Sequence, residues 1–380
     1  MPLAAAVVGT GFIGPVHVEA LRRLGVPVLG VLGSSPQKSR EAADKLGSLH
    51  PYDSFDQLLN DDRVQVVHIA SPNRYHFEQC RQALLAGRHV VCEKPLAMTS
   101  FETNELVRLA AGRPKQAAAV CYNVRSYPLN HEARTRLQEL GPLHHVTGSY
   151  VQDWLLNETD FNWRVLASEG GPLRAVADIG THWLDLIQFV TGHGISAVCA
   201  DLQTCLPERL RPAESIATFN SESNRRVSAE RVAIDTEDFG SVLLRFDNGA
   251  RGAFHVSQVT AGRKNCLRYE IAAQNGALAW SSEQPDELWL GHRGKANEIL
   301  IRDPAMLSAA AQSCSDYPGG HVEGFPDTFK QLFKAIYRHI ALENWNAPAA
   351  FPTFADGHRE VLLGEAILRS HRERRWITLE

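Results

Sequence analysis

Ala4-Ala5-Ala6-Val7-Val8-Gly9-Thr10-Gly11-Phe12-Ile13-Gly14 opens the chain with a short apolar run that passes straight into G-x-G-x-x-G. The run reads as a first strand, and residues 12–24 carry helical spacing, so the three glycines stand at a strand–turn–helix junction. In that setting each glycine has its own duty. Gly9 permits the tight turn, Gly11 lets a ligand approach the backbone, and Gly14 lets the helix pack closely on the strand. The helix N-terminus adds donors and a favourable dipole for an anion. Residues Gly9, Thr10, Gly11, Phe12, Ile13 and Gly14 are therefore candidates to cradle the pyrophosphate of a dinucleotide.

Outward from this turn, short apolar runs alternate with helical patterns as far as residue 120. Strands are expected at 28–32, 64–69, 90–92 and 117–120, and helices at 36–46, 75–85 and 99–111. Strict alternation implies parallel βαβ units and a doubly wound α/β sheet, a Rossmann domain over residues 1–122. The rhythm then changes. After a helix at 130–140 come a long strand at 143–151, an apolar helix near 181–190, and β-rich runs at 196–204, 226–234, 239–246, 250–256, 267–273 and 277–280. Asp247-Asn248-Gly249 and Gln274-Asn275-Gly276 each hold the Asn-Gly pair that favours a tight hairpin. Residues 123–380 are expected to form an α+β domain, with an open, largely antiparallel sheet, helices on one face, and closing helices at 327–342 and 355–372. Residues 221–226 are expected to be a mobile loop tip.

The 380 residues suit two domains at roughly 150 each. With 39 Lys plus Arg against 43 Asp plus Glu, no basic surplus points to nucleic acid. No apolar run nears the ~18 residues of a membrane span. The opening segment lacks the basic leader of a secretory signal. Seven scattered cysteines without a CxxC pair argue against a disulfide framework or structural zinc, so a reducing cytoplasm is expected.

Three further segments fall where open α/β sheets bind ligands, at the carboxyl ends of strands. The second strand ends in Ser34, Ser35 and, further on, Lys38 and Arg40. It lacks the acid that commonly holds a ribose diol, so NAD and NADP both remain open. Ser71-Pro72-Asn73-x-x-His76 follows the buried third run, and Glu93-Lys94-Pro95 the fourth. In the second half, Asp178 stands at the entrance of the apolar helix with His182 four residues on, a spacing that shares a helix face. The plainer alternative is a capping Asp178 and a core histidine. No third ligand makes a metal site of the pair.

Together these segments resemble the Gfo/Idh/MocA family, named for glucose–fructose oxidoreductase, inositol dehydrogenase and a rhizopine-catabolism protein, over essentially the whole chain. The resemblance rests on Gly9–Gly14, Ser71–His76, Glu93-Lys94-Pro95 and Asp178-x-Gly180-x-His182. Pro318-Gly319-Gly320-His321-x-Glu323-Gly324-Phe325 is similar to a subgroup acting on sugars and cyclitols. It implies that Lys94, Asp178 and His182 meet on a substrate hydroxyl beside the nicotinamide. It further implies that Ser71, Pro72, Asn73, His76, Glu93, Pro95, Trp163 and Arg164 face the cofactor, and that the open sheet forms a dimer or tetramer. In such a trio a histidine titrating near neutrality is the candidate base, with a lysine stabilising the alkoxide and an acid orienting both; the lysine and histidine roles remain exchangeable. The mixed aromatic and polar loop at 152–164 suits a polyol, with Asp153, Trp154, Arg164 and His321 as contacts. Tyr122, Asn123 and Arg125 are further crevice candidates. The expected activity is an NAD(P)-dependent dehydrogenase of a sugar, sugar derivative or cyclitol, without a metal. A redox-neutral NAD-dependent glycosidase and a non-catalytic dinucleotide sensor are the alternatives.

Overall fold

The structure, a computed structural model, describes residues 3–212 and 230–379. It divides into two compact units, Met1–Asn123 with Pro326–Val361, and Val124–Phe325 with Leu362–Glu380. The region expected as one continuous second domain is thus shared between the two. Residues 221–226, and the first part of the run expected at 226–234, lie outside the described residues.

The first unit is built on six parallel strands: β1 (Ala5–Val8), β2 (Val28–Leu32), β3 (His50–Pro51), β4 (Val66–Ile69), β5 (His89–Cys92) and β6 (Ala118–Val120). Their order is β3-β2-β1-β4-β5-β6, the doubly wound arrangement whose switch point lies beside β1. All four residues of both β1 and β4 are buried, as strands covered on two faces must be. β3 and the helix Phe55–Leu59 have no counterpart in the sequence reading. A two-residue strand containing Pro51 shows no alternation, and proline is tolerated there because β3 is an edge. Gly87 (φ +78°) follows the helix His76–Leu85, and Thr99 and Glu102 form a capping box that starts Ser100–Ala111.

The helix Phe325–Leu342 brings Phe329, Phe333 and Tyr337 onto this unit, where they enclose two buried histidines. His17 Nδ1 lies 3.2 Å from His68 Nδ1, and His68 Nε2 lies 3.0 Å from the Tyr337 hydroxyl.

The second unit carries a nine-stranded sheet. Its strands are β7 (Leu143–Val151), β8 (Ile195–Gln203), β11 (Phe239–Phe246), β12 (Arg251–Ser257), β13 (Cys266–Ala273), β14 (Gly276–Ser281), β15 (Glu287–Gly291), β16 (Glu298–Ile301) and β17 (Ile377–Thr378). A separate ribbon pairs β9 (Glu208–Arg211) with β10 (Glu230–Ala233). The large sheet runs β16-β15-β14-β13-β7-β12-β11-β8-β17, antiparallel throughout except where β7 meets β12. Along β11 the alternation buries Val242, Leu244 and Phe246 against the helix Thr181–Thr191, whose Trp183, Leu184 and Ile187 are fully enclosed. Both expected hairpins form. In the first, Gly249 takes φ +88°; in the second, Gln274 and Asn275 make the turn, so Gly276 opens β14 instead of filling it.

Burial, then the charge of His17, holds the His68 imidazole well below its ordinary range. A depressed folded pKa gives stability that is present above about pH 6.5 and lost as pH falls toward the folded value. Urea midpoints measured from pH 7.5 to 5 should therefore fall less steeply in His68→Asn than in the wild type.

Candidate active site

At the first turn the three glycines divide their duties as the motif requires. A Cβ on Gly9, which has φ +102°, would lie 2.3 Å from the Ala70 carbonyl oxygen, and one on Gly14 would lie 2.0 Å from the carbonyl oxygen of Gly9. At Gly11 a Cβ would meet no atom within 4 Å, so the backbone there is open to an approaching group. Gly11 and Phe12 are exposed, while Thr10 and Ile13 are half-buried. The helix Ile13–Arg23 that follows has no side-chain cap and no acid in its first turn, which suits an anionic pyrophosphate. The turn therefore fits a dinucleotide.

At the end of β2, Ser34 and Lys38 are exposed. Ser35, expected to face the cofactor, instead caps the helix Pro36–Lys45 by accepting from the Lys38 N–H at 3.3 Å. Arg40 reaches toward Asp53, 3.7 Å away.

The next two segments are tied together by a residue whose expected role was to touch the cofactor. His76 is buried, with Nδ1 2.8 Å from the Pro95 carbonyl and Nε2 2.8 Å from the Ser71 carbonyl. It is a strap beneath Ser71-Pro72-Asn73 and Glu93-Lys94-Pro95. Burial holds its pKa below the ordinary value, with the two carbonyls pulling the other way. Ser71 Oγ donates to Gln79 Oε1 at 2.6 Å, and Asn73 begins a 3-10 turn through Tyr75.

Glu93 turns inward. Its Oε1 lies 3.1 Å from His17 Nε2, its Oε2 lies 3.3 Å from the Lys94 N–H, and it bonds the Cys121 thiol, which burial pushes well above its ordinary pKa. Ligand atoms of His17, Glu93 and Cys121 fall within 4.8 Å of one another, but a metal would have to displace these bonds and deprotonate the thiol. Lys94 is half-buried, and its peptide bond to Pro95 is cis.

In the second unit, Asp178 lies in a π-helical turn, Val176–Gly180, that leads into Thr181–Thr191. The capping alternative does not hold for Asp178. Its carboxylate faces Arg164 Nε at 3.3 Å and accepts from Gln258 Nε2 at 2.8 Å. Arg164 is steadied in turn by the rings of Trp163 and Trp154, whose centroids lie 4.5 and 6.0 Å from its guanidinium carbon, and Trp154 Nε1 donates to Gln152 Oε1 at 2.9 Å. His182 is 8% exposed and packs beside Tyr150, at 6.3 Å between ring centroids. The Tyr150 hydroxyl donates to Asn265 Oδ1 at 2.7 Å; burial, with Asp178 among the lesser causes, holds this phenol above its ordinary pKa. Thus Asp178, Arg164, Trp163 and Trp154 come together as one cluster. Gln258, Tyr150 and Asn265 complete its surroundings without a sequence signal, since Gln258 lies 80 residues from Asp178 and Asn265 lies 115 from Tyr150.

Other candidates have structural duties. Tyr122 is fully buried in the core of the first unit, and Asn123 Nδ2 donates to Thr328 Oγ1 at 2.6 Å. Arg125 forks onto Asp185, with Nε at 2.7 Å. Asp153 holds Lys264 at 2.7 Å and the Gly262 N–H at 3.0 Å. His321 is exposed, its ring toward the Gly319 carbonyl, while its own carbonyl accepts from Arg302.

A doubly wound sheet with this glycine turn, joined to an open mixed sheet, defines a dinucleotide-binding oxidoreductase. Residues 3–121 match the oxidoreductase family with an NAD-binding Rossmann fold, and residues 131–279 match the GFO/IDH/MocA C-terminal domain. The chain belongs to the Gfo/Idh/MocA family. It is similar to levoglucosan dehydrogenase from Pseudarthrobacter phenanthrenivorans, 28% identical over 99% of this chain and 97% of that protein. An uncharacterised oxidoreductase from Schizosaccharomyces pombe is 30% identical over 67% of this chain and 70% of its own length. A solved structure of levoglucosan dehydrogenase in complex with NADH and levoglucosan superposes with a TM-score of 0.88 at 26% identity, covering 100% of this chain and 99% of that one.

Removing the strap should loosen both segments it joins. His76→Ala removes the ring set between the two carbonyls, and the one that accepts the single N–H of the neutral imidazole loses its partner, at a cost of about 1–3 kcal/mol. Urea denaturation should show that loss, and fluorescence titration should show a raised Kd for the dinucleotide.

Proposed function

We propose that the protein interconverts a ring secondary alcohol and its ketone on a sugar, sugar derivative or cyclitol, with a pyranose or glycoside preferred over an inositol. The observation that carries this reading is the Asp178 carboxylate, fixed by Gln258 and by an Arg164 that lies against two indole rings, four residues before a nearly buried His182. Polar groups set among aromatic faces suit a ligand with C–H faces and hydroxyl edges. The likeness to levoglucosan dehydrogenase over nearly the whole chain supports the same substrate class.

The residues from Gly9 to Gly14, with Asn73 and the Glu93-Lys94-Pro95 segment, hold the dinucleotide. When bound, it supplies the acceptor for the carbinol hydrogen. His182 takes the hydroxyl proton as the carbon is oxidised and returns it in the reverse direction. Lys94 donates to the same oxygen and stabilises the negative charge that develops on it. Asp178 orients a neighbouring hydroxyl, its own position set by Arg164 and Gln258. Exposed Ser34 and Lys38, in place of an acid, admit NADP as well as NAD. Leu243 and Ile299, 51% and 59% exposed on the side of the sheet away from the helices, support a homo-oligomer in which a second copy covers that face. Among the described residues no helix is long and apolar enough to cross a membrane, and a cytoplasmic location is proposed.

Nicotinamide reduction followed by absorbance across a panel of pyranoses, glycosides and inositols tests this reading. His182→Ala should lower kcat by about 10²–10⁴-fold, the range removed with a general base. Lys94→Ala should lower it about 10²–10³-fold, as for a lost oxyanion donor. Full turnover in both variants would defeat the assignment, and release of an aglycone without net reduced cofactor would point to the glycosidase. Lys38→Glu places a carboxylate where a 2′-phosphate is to be accepted, so kcat/KM with NADP should fall about five- to tenfold relative to NAD.

A further inference from the structure

Behind Asp178, in the segment before β11, three consecutive buried residues each grip a different part of its surroundings. Thr236 Oγ1 donates to the carbonyl of Val165, next to Arg164, at 3.1 Å. Glu237 accepts from the Arg174 N–H with both oxygens at 3.0 Å, and from the Val176 N–H at 2.8 Å. The Asp238 carbonyl accepts from the Gln258 N–H at 3.0 Å. These are the residue after Arg164, the entry to the π turn, and the residue that holds the Asp178 carboxylate. The Asp178 N–H itself donates to the Arg174 carbonyl at 2.7 Å, so the stretch that Glu237 grips is also the one on which Asp178 hangs. A buried carboxylate gives up its hydration, and the backbone donors only partly replace it.

We infer that Glu237 is a positioning residue: through the Arg174 and Val176 amides it sets the π turn, and so the place of Asp178, and its ionisation governs how firmly that turn is held. The inference rests on the reading of Asp178 given above. The charged groups facing this segment are Arg174, from the stretch that Glu237 holds, and Asp238 and Arg209. The guanidinium groups of both arginines bond Asp238 Oδ1. They therefore answer to Asp238, and Glu237 is left with backbone donors as its hydrogen-bond partners.

Burial pushes the Glu237 carboxyl up to about 7, against the pull of those donors and the charge of Arg174. The folded value lies above the unfolded one of about 4.3, so the hold that this group provides is complete below the unfolded value, weakens as pH rises from there to the folded value, and levels off above it. A displacement of Asp178 of order 1 Å is enough to cost about 10²-fold in rate.

The test is hydrogen exchange in the full-length chain, read by mass spectrometry on the peptide covering residues 172–182, together with kcat/KM on the best polyol. In the wild type, opening of that peptide, corrected for intrinsic exchange, should rise between about pH 5 and pH 7 and level off above it. In Glu237→Gln, which keeps an acceptor oxygen but no titration, the step should vanish. Glu237→Ala should raise opening at every pH and lower kcat/KM about 10–100-fold, with Glu237→Gln recovering part of that loss. If the alanine variant does not fold, the wild-type and glutamine arms still decide. A step that persists in Glu237→Gln overturns the inference, and so does loosening spread evenly over the whole unit, or local loosening with full activity. Local loosening in a protein whose every form leaves polyols untouched keeps Glu237 as the brace of the turn and removes the reading of the site instead.

Discussion

No side chain can be built where the Ile13–Arg23 helix meets the end of β1, because a Cβ on Gly14 would fall inside the carbonyl of Gly9. That contact sets how close the helix comes to the strand. Gly9 is held by a second close approach, to Ala70 after β4, so one turn ties β1, β4 and the first helix at the switch point of the sheet. Gly11 alone is left uncovered. The dinucleotide reading depends on this division, and so does the arrangement of strand ends around it.

The candidate segments depart from regular α-helix and strand, and buried polar side chains hold them. His76 joins the ends of two strands, Glu93 is pinned from beneath by His17, and Asp178 is gripped by Arg164 and Gln258 and underlain by Glu237. A single such bond contributes only about 0.5–1.5 kcal/mol net, but leaving its partner buried and unpaired costs about 1–3 kcal/mol. The asymmetry makes these links specific: each tolerates one geometry and penalises the alternatives. Their pKa shifts follow from the same burial, which lowers His76 and His68 and raises Glu237.

Much of the architecture was legible in the chain. The strand at 143–151 has the bounds of β7, and 28–32 those of β2, because long alternating or β-branched runs leave no competing period. β3, β15, β16 and β17 were missed, being short, at or near the edges, and without a periodic signal of their own. The site was legible unevenly. Glycines with fixed backbone duties, and the strand-end positions of Ser71–His76 and Glu93–Pro95, could be placed from local order. Tyr122, Asn123 and Arg125 could not be assigned, since proximity in sequence to a strand end does not say whether a side chain faces the crevice or the core.

The sequence by itself determined the class of fold and the dinucleotide turn, because glycine spacing and hydrophobic period act over a few residues and need no distant partner. Only tertiary structure decided that His76 is a strap, that Asp178 sits in a π turn, and that Gln258 and Glu237 hold it. The hold on Asp178 depends on which buried group stands within 3 Å of which, across 61 and 80 residues of chain, and no local pattern carries that information.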